Sequence, residues 1–482
     1  MKKKYTVVLV TSIVAVAVLA GAGFFVYESM SKKKETVVYE TFAEKTTVTI
    51  FHDIPLMPGV GNQIGEVTDY GNRNYLVEVK DTSEEEYKEY LDVLADTGYK
   101  KHSDNGEDAM EGYAYTAAFT KEDVTVVVSH VIRDEKTYIS ATRGLQLSEH
   151  MIYKEEYAKE VIPGAKTTVH LVELGNFGSS FVIKLKNGHF VMHDGGQDFD
   201  APYLLDYLEK LTPGDEKPIV EGWFISHPHG DHYGALSTIA SNQEYANRIL
   251  VNGIYFHYPP AKMLQSESNS SSATCSFLAS MLQAEDGGKA GDYRPQYGQR
   301  YYFCDVIMDI SMTSEQINVD GYTGNDVNDT SLWITTYIEG QKILIGGDAN
   351  QESIRTFMNL FYPTYYDLDV FVVLHHGGNV YDYFTEVLKI KTLLYTSWRL
   401  GTVYSNKYPE IAKVEQNALL QSRSEECYSY EKGTVVMTFP YKVGTAEIEE
   451  PCKWQYDNGT PPQRTEERWG WKWDGLRYYY EE

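Results

Sequence analysis

Three features of the sequence predict a layered α/β protein. Strand-length apolar runs end in loops rich in histidine and aspartate, helical segments alternate with those runs, and a small α+β unit precedes them behind one long apolar stretch. At 482 residues the chain is long enough for two or three domains. Its 42% hydrophobic and 13% aromatic content supports a sizeable core and excludes a largely disordered chain. The formal charge of −26 argues against non-specific binding of DNA or RNA, because gripping a polyanion needs a basic face that displaces counterions. No long nucleic acid is therefore expected as a partner.

Taken in order, the first segment sets the compartment. Lys2, Lys3 and Lys4 precede an apolar run over residues 5–27, and a second lysine triplet follows at 32–34. The run is long enough to span a bilayer as a helix. Ala20-Gly21-Ala22 resembles a cleavage site, so residues 1–35 read as a membrane anchor or a signal peptide. Phe24, Phe25 and Val26 carry the run past that site and favour the anchor. Either reading exports the rest of the chain, to the outer face of the cell membrane or into the medium.

Residues 43–150 read as the small α+β domain. Strands are expected at 46–51, 74–79, 124–132 and 137–142, and Thr82 or Ser83 caps an acidic amphipathic helix that runs to about Leu94. No catalytic constellation stands here, and a spacer or assembly role is expected. Residues 165–450 carry the chemistry. Strands are expected at 169–174, 180–185 and 190–193, with a tight turn at Asn187-Gly188, then a helix after Asp200 and a strand at 220–225. A Ser- and Asn-rich surface loop at 265–274 precedes strands at 332–338, 342–345 and 370–374, with a helix at 351–360. Of the four cysteines, Cys427 and Cys452 flank a strand–turn–strand pattern, and a disulfide between them is one possibility in an oxidising compartment. The tail, 451–482, is dense in tryptophan and tyrosine, without helical periodicity.

The segment Ile225-Ser226-His227-Pro228-His229-Gly230-Asp231-His232 places four potential metal ligands directly after an apolar strand. In extended backbone an i, i+2 pair projects to one side, so His227 and His229 can meet one metal. Asp231 and His232 then reach a second metal at the start of the following helix. Imidazole and carboxylate suit zinc when a position must stay open for water.

This segment resembles the HxHxDH motif of the metallo-β-lactamase superfamily, over roughly residues 167–440. The resemblance implies an αββα sandwich binding two divalent metals, zinc first, with manganese or iron(II) as alternatives. It implies that Asp194 braces the metal histidines from behind, that Asp348 bridges the two metals, and that His375 or His376 is the late ligand on the second metal. Asn328-Asp329-Thr330-Ser331-Leu332 and His375-His376-Gly377-Gly378 resemble the competence-protein (ComEC-type) hydrolases; choline-phosphate esterases are similar here too. The family's lactamases place a third histidine on the first metal. The one histidine in that interval is His257, and the subgroup resemblance implies that Asn328 or Asp329 takes its place, with His257 next in line. The segment Asn406-Lys407-Tyr408-Pro409 lacks the late histidine found in the subgroup.

Such a centre hydrolyses its substrate with a water-derived nucleophile generated at neutral pH. Asp231 is expected to orient it, and Asp231, Asp348, Asp194 and Asn328 form the expected catalytic set. Three functional classes compete. The favoured one is an exported phosphodiesterase or phosphoesterase acting on a small-molecule or cell-envelope substrate. The others are an ester, amide or lactone hydrolase and a metal-stabilised surface binding module, because fold alone does not fix function. The segment 470–480 resembles a single choline-binding repeat, which implies at most a weak cell-wall contact, since such repeats work in tandem.

Overall fold

The computed structural model describes residues 39–449 except 60–62, 72–73, 107–108, 157–160, 175–177, 215, 258–274, 318–326, 398–413 and 431–432, and adds the antiparallel strand pair Trp471–Trp473 and Tyr478–Tyr480. The expected anchor at 1–35, the loop at 265–274, Asn406 to Pro409 and most of the tail, Cys452 included, lie outside these residues. Among the described residues no helix is long and apolar enough to cross a membrane.

The N-terminal unit comprises β1 (Thr68–Gly71), β2 (Asn74–Val79), α1 (Glu84–Asp96), β3 (Lys100–Asp104), β4 (Ala114–Lys121), β5 (Val124–Val131) and β6 (Lys136–Arg143). Its strands form one antiparallel sheet in the order β1-β2-β6-β5-β4-β3. Helix α1 starts at Ser83 with a capping box: the Ser83 hydroxyl accepts from Glu86 N, and the Glu86 carboxylate accepts from Ser83 N. Its Tyr87, Tyr90, Leu91 and Leu94 cover one sheet face together with Val77, Phe119, Val126 and Ile139. The other face belongs to the main core through Ala118 and Val127. Covering both faces explains why β5 is buried almost throughout. Residues 46–51 are not a strand. The Thr46 hydroxyl accepts from Val48 N, and a 3-10 turn follows at Thr49–Phe51, so a side chain has captured a backbone group that a strand would pair.

Polar groups lock this sheet onto the larger unit. The hydroxyls of Thr116 and Ser129 donate to Tyr297 O, and Asn105 Nδ2 donates to Gly298 O at 2.8 Å, all of them buried.

The larger unit opens with β7 (Thr168–Leu171), β8 (Ser180–Lys184), β9 (Phe190–Asp194), α2 (Ala201–Leu211), β10 (Ile219–Ile225), α3 (Gly230–Ser241) and α4 (Gln243–Ala246). There follow β11 (Leu250–Val251), β12 (Gly253–Phe256), α5 (Cys275–Met281), β13 (Gly291–Tyr293), β14 (Arg300–Phe303) and β15 (Val306–Met312). Next come β16 (Trp333–Ile338), β17 (Gln341–Ile345), α6 (Gln351–Leu360), β18 (Asp367–Val372), α7 (Asp382–Thr385) and β19 (Lys389–Tyr395). The last elements are α8 (Val414–Ser422), β20 (Glu426–Ser429), β21 (Val435–Thr438) and β22 (Glu447–Ile448). Among the described residues one sheet runs β13-β12-β10-β9-β8-β7-β21-β22 with β11 beside β10, and a second runs β14-β15-β16-β17-β18-β19-β20.

Alternation along the second sheet sorts its side chains. Ile334, Ile343, Ile345, Val370, Val372 and Leu394 enter the core shared with the first sheet. Trp333, Leu344, Phe371 and Leu393 face Ile354 and Phe357 of α6 and Phe384 of α7. Leu204, Leu208, Leu236 and Ile239 of α2 and α3 close the far side of the first sheet. The result is four layers, helix–sheet–sheet–helix, in which each fully buried aliphatic or aromatic side chain contributes roughly 2 kcal/mol. Strands β9, β10 and β12 are mutually parallel, as are β17, β18 and β19, so the loops at their C-terminal ends converge on one edge.

Candidate metal centre

Asp194 closes β9 with φ at 57°, a left-handed conformation rare outside glycine. Its carbonyl accepts from Trp223 Nε1, and its carboxylate accepts from Ser226 N at 2.8 Å and Ser226 Oγ at 2.9 Å. The same carboxylate meets His232 Nδ1 at 2.8 Å. A carboxylate only accepts in such a bond, so Nδ1 carries a proton and Nε2 is the nitrogen left to ligate. That nitrogen is buried and makes no hydrogen bond, yet Asp348 Oδ1 lies 3.2 Å away.

After β10 the chain turns through His227 and His229, and His229 is the N-cap of α3. His227 Nε2 and His229 Nδ1 converge to 3.0 Å. Asp231 and His232 sit in the first turn of α3. Gly234 lets that helix close on the preceding loop, because a Cβ there would lie 2.5 Å from Asp198 N. Asp348 follows β17 through Gly347, whose φ is 54° and where a Cβ would fall 2.8 Å from Ser226. Ser331 Oγ accepts from Asp348 N and stands 3.4 Å from His227 Nδ1.

The turn after β18 places His375 and His376 both at positive φ, 49° and 54°. Two such residues in succession send the rings apart. His376 is buried, donates from Nδ1 to Thr396 O at 2.8 Å, and holds Nε2 3.0 Å from Asp231 Oδ2. His375 is 22% exposed, with Nε2 3.6 Å from Asp348 Oδ2.

Two donor groups emerge, each with its atoms within 4.8 Å of one another: Asp231, His232, Asp348 and His376, and separately His227, His229 and Asp348. Asp348 belongs to both. Burial opposes charge throughout, yet His232, His376 and His375 hold the Asp348 carboxyl far below its ordinary range. In turn, against burial, Asp348, Asp194 and Asp231 hold His232 well above its usual value, and Asp348 with Asp231 lifts His376 to about 9. His227 is pushed the other way by burial and by its neighbours His232 and His229. The carboxylates thus make a field for cations, and the imidazole–carboxylate donor set fits divalent metals.

The geometry bears on the expected alternatives. His375 joins neither donor group, because the double left-handed turn gives the inward position to His376. Asp329 also joins neither; its carboxylate accepts from Ser353 N and satisfies an open amide in the first turn of α6. Asn328 lies buried in the same short 3-10 turn. His257 is no substitute. At the end of β12 it donates from Nδ1 to Pro295 O at 2.7 Å, its Nε2 is 3.9 Å from Glu315, and burial with Arg294 pushes it down to about 3.

Sequence reasoning missed the supporting residues. Ser226 adjoins the predicted ligand His227, and a hydroxyl beside a ligating histidine is a readable signal, whereas Ser331 adjoins none. Thr396 and Asn379, whose Nδ2 donates to Asp348 O at 3.1 Å, carry no such mark.

The family model described as the Metallo-beta-lactamase superfamily matches residues 174–394. Among solved structures the chain is similar to a metallo-beta-lactamase from Cronobacter sakazakii altered in its HARLDQ motif, at 14% identity, 42% of this chain, 75% of that one and a TM-score of 0.26. It is also similar to Tm1679, a metal-dependent hydrolase of the beta-lactamase superfamily, at 13% identity, 56% of this chain, 98% of that one and a TM-score of 0.29. A third is BJP-1, a subclass B3 metallo-beta-lactamase of Bradyrhizobium japonicum, at 11% identity, 44% of this chain, 76% of that one and a TM-score of 0.26. No curated protein matches by sequence.

Proposed function

We propose that residues 174–394, which match the metallo-beta-lactamase superfamily model, are a metal-dependent hydrolase domain that cleaves a phosphoester, with phosphodiesters of the cell envelope as the substrate class. One observation carries this reading. The donor group at His227 and His229 is completed by the shared Asp348 and by no third imidazole among the described residues, and His257 is engaged with Pro295 and Glu315. Carboxylate in place of imidazole favours harder ions and oxygen-rich ligands such as phosphate.

Two divalent ions held by His227, His229, Asp231, His232, Asp348 and His376 would supply a water-derived nucleophile at neutral pH and neutralise charge developing on the substrate. The chain's own residues do the rest. Asp194 and Ser226 fix the ring of His232 through Nδ1, and Thr396 fixes that of His376, so both Nε2 atoms stay aimed inward. Asp348 sets the spacing of the two groups. Asp231, ionised and beside His376, is placed to accept a hydrogen bond from the attacking water and orient it.

The apolar run at 5–27 supports an exported, membrane-anchored protein, and the charge of −26 speaks against long nucleic acid as substrate. A panel of chromogenic phosphodiester, phosphomonoester, ester and β-lactam substrates tests the reading. Turnover of the phosphodiester, lost in Asp348→Asn, is expected; turnover of the ester or β-lactam alone would overturn it.

A further inference from the structure

The edge where the metal ligands gather continues past them into a second polar wall. Strand β10 runs in parallel register with β12, Ile225 beside Phe256, and β12 with β13, Tyr255 beside Tyr293. His257 therefore emerges level with Ser226, and Arg294 emerges one strand further out, at two strand spacings or roughly 10 Å from the end of β10. In the second sheet Met312 pairs with Trp333, and Leu332 N donates to Ser226 O at 2.9 Å. The 3-10 turn Ser314–Gln316, which follows β15, thus reaches the same edge. Glu315 closes the circuit, with Oε1 3.9 Å from His257 Nε2.

Two hydrogen-bond donors of this wall are withdrawn from water. Gln316 is 9% exposed, and its Oε1 accepts from Thr313 N at 2.9 Å and from Thr313 Oγ1 at 3.0 Å. A backbone N–H only donates, so the amide oxygen is fixed there and Nε2 is turned away from it. That nitrogen is buried and makes no hydrogen bond, which costs its desolvation until an acceptor arrives. Arg294 is 7% exposed and stands near enough to His257 for its charge to add to the effect of burial on that ring. A guanidinium so shielded attracts anionic oxygen strongly, because little water screens it. The small domain steadies the backbone that carries it: Gln296 Nε2 donates to Ser140 Oγ at 3.1 Å, beside the Tyr297 and Gly298 carbonyls that the same domain binds.

We propose that Arg294 and Gln316 form a phosphate-binding wall of the metal pocket and donate hydrogen bonds to the non-bridging oxygens of the substrate phosphoryl group. The assignment rests on the phosphoester reading above and adds to it the residues that select an anionic substrate. Arg offers a planar fork to two such oxygens, and the Gln316 amide adds a neutral donor.

Isothermal titration of the metal-loaded full chain with inorganic phosphate tests this, with KM and kcat followed on a chromogenic phosphodiester. Arg294→Gln and Gln316→Met are each expected to weaken phosphate binding by roughly 10-fold or more and to raise KM, with metal content unchanged. Arg294→Lys keeps the charge without the fork and should lose less. Gln316→Glu keeps the acceptor for Thr313 N, replaces the donor with a carboxylate and should lose more. Melting temperatures identify any variant that fails to fold, and the Gln316 pair then decides. Phosphate binding and KM unchanged in Gln316→Glu and in the folded Arg294 variants would overturn the proposal and leave the phosphoester reading standing. Losses that only follow a loss of metal would overturn it as well. An unaltered protein that binds no phosphate and turns over neutral esters alone would overturn both.

Discussion

His376 and Asp231 stand 145 residues apart in sequence and meet with Nε2 and Oδ2 3.0 Å apart. The contact joins the loop after β18, in one sheet, to the first turn of α3, which follows a strand of the other. It also separates two adjacent histidines. His376→Ala should remove a ligand and cut turnover by more than about 100-fold, beyond what losing a supporting partner costs. His375→Ala should keep its full metal content. Elemental analysis of the two variants checks this, and loss of metal in His375→Ala alone would reverse the assignment.

Asp194 touches no donor atom of the first group, yet it holds the Ser226 hydroxyl and His232 Nδ1. Asp194→Asn should leave the fold intact and weaken metal affinity by roughly 10–100-fold, because the His232 ring loses its fixed tautomer. Titration with a metal-sensitive dye measures the change. An unchanged affinity would mean that Asp194 only shapes the backbone.

Asp329 caps α6 through Ser353 N, so Asp329→Ala should cost about 1 kcal/mol of stability. It should leave the course of a chelator titration unchanged. Asn328→Ala should leave that titration unchanged as well. A faster release of the first metal in either variant would restore that residue to the ligand set.

Much of this was legible in the sequence, and the misses have physical causes. The strand at β10 and the ligands after it were readable because an apolar run is followed by four potential ligands within six residues. Helix α1 was readable from Ser83 and Glu86, whose capping box is purely local. Strand β4 was not, since three alanines and two threonines leave Ala114–Lys121 little hydrophobic contrast and its faces enter different cores, Ala118 in one and Ala117 and Phe119 in the other. The choice between His375 and His376 depends on two left-handed residues, and Thr396 on a strand that is remote in sequence. Such relationships exist only once the chain has folded.

Three buried histidines outside the metal centre contribute stability that acid removes. Burial pushes His130 down to about 4 and His170 and His257 to about 3. Each is neutral when folded and takes a proton near pH 6.5 when unfolded. The unfolded chain therefore binds more protons below that value. The stability these residues contribute is fully present above about pH 6.5 and is lost as pH falls towards 4, by up to about 1.4 kcal/mol per unit for each. Urea midpoints should fall between about pH 7.5 and pH 5 and should fall less in His130→Asn, which takes up no proton; a flat profile would contradict this.

The central claim is that Asp348 is shared by two metal-binding groups. The most direct measurement is the metal content of the protein, with turnover followed as a chelator removes the metal and zinc or manganese restores it. Two equivalents at the centre, both lost in Asp348→Ala, with activity that returns on reloading, is the predicted result. A centre that takes up no divalent metal, or turnover that survives complete removal, would contradict the account.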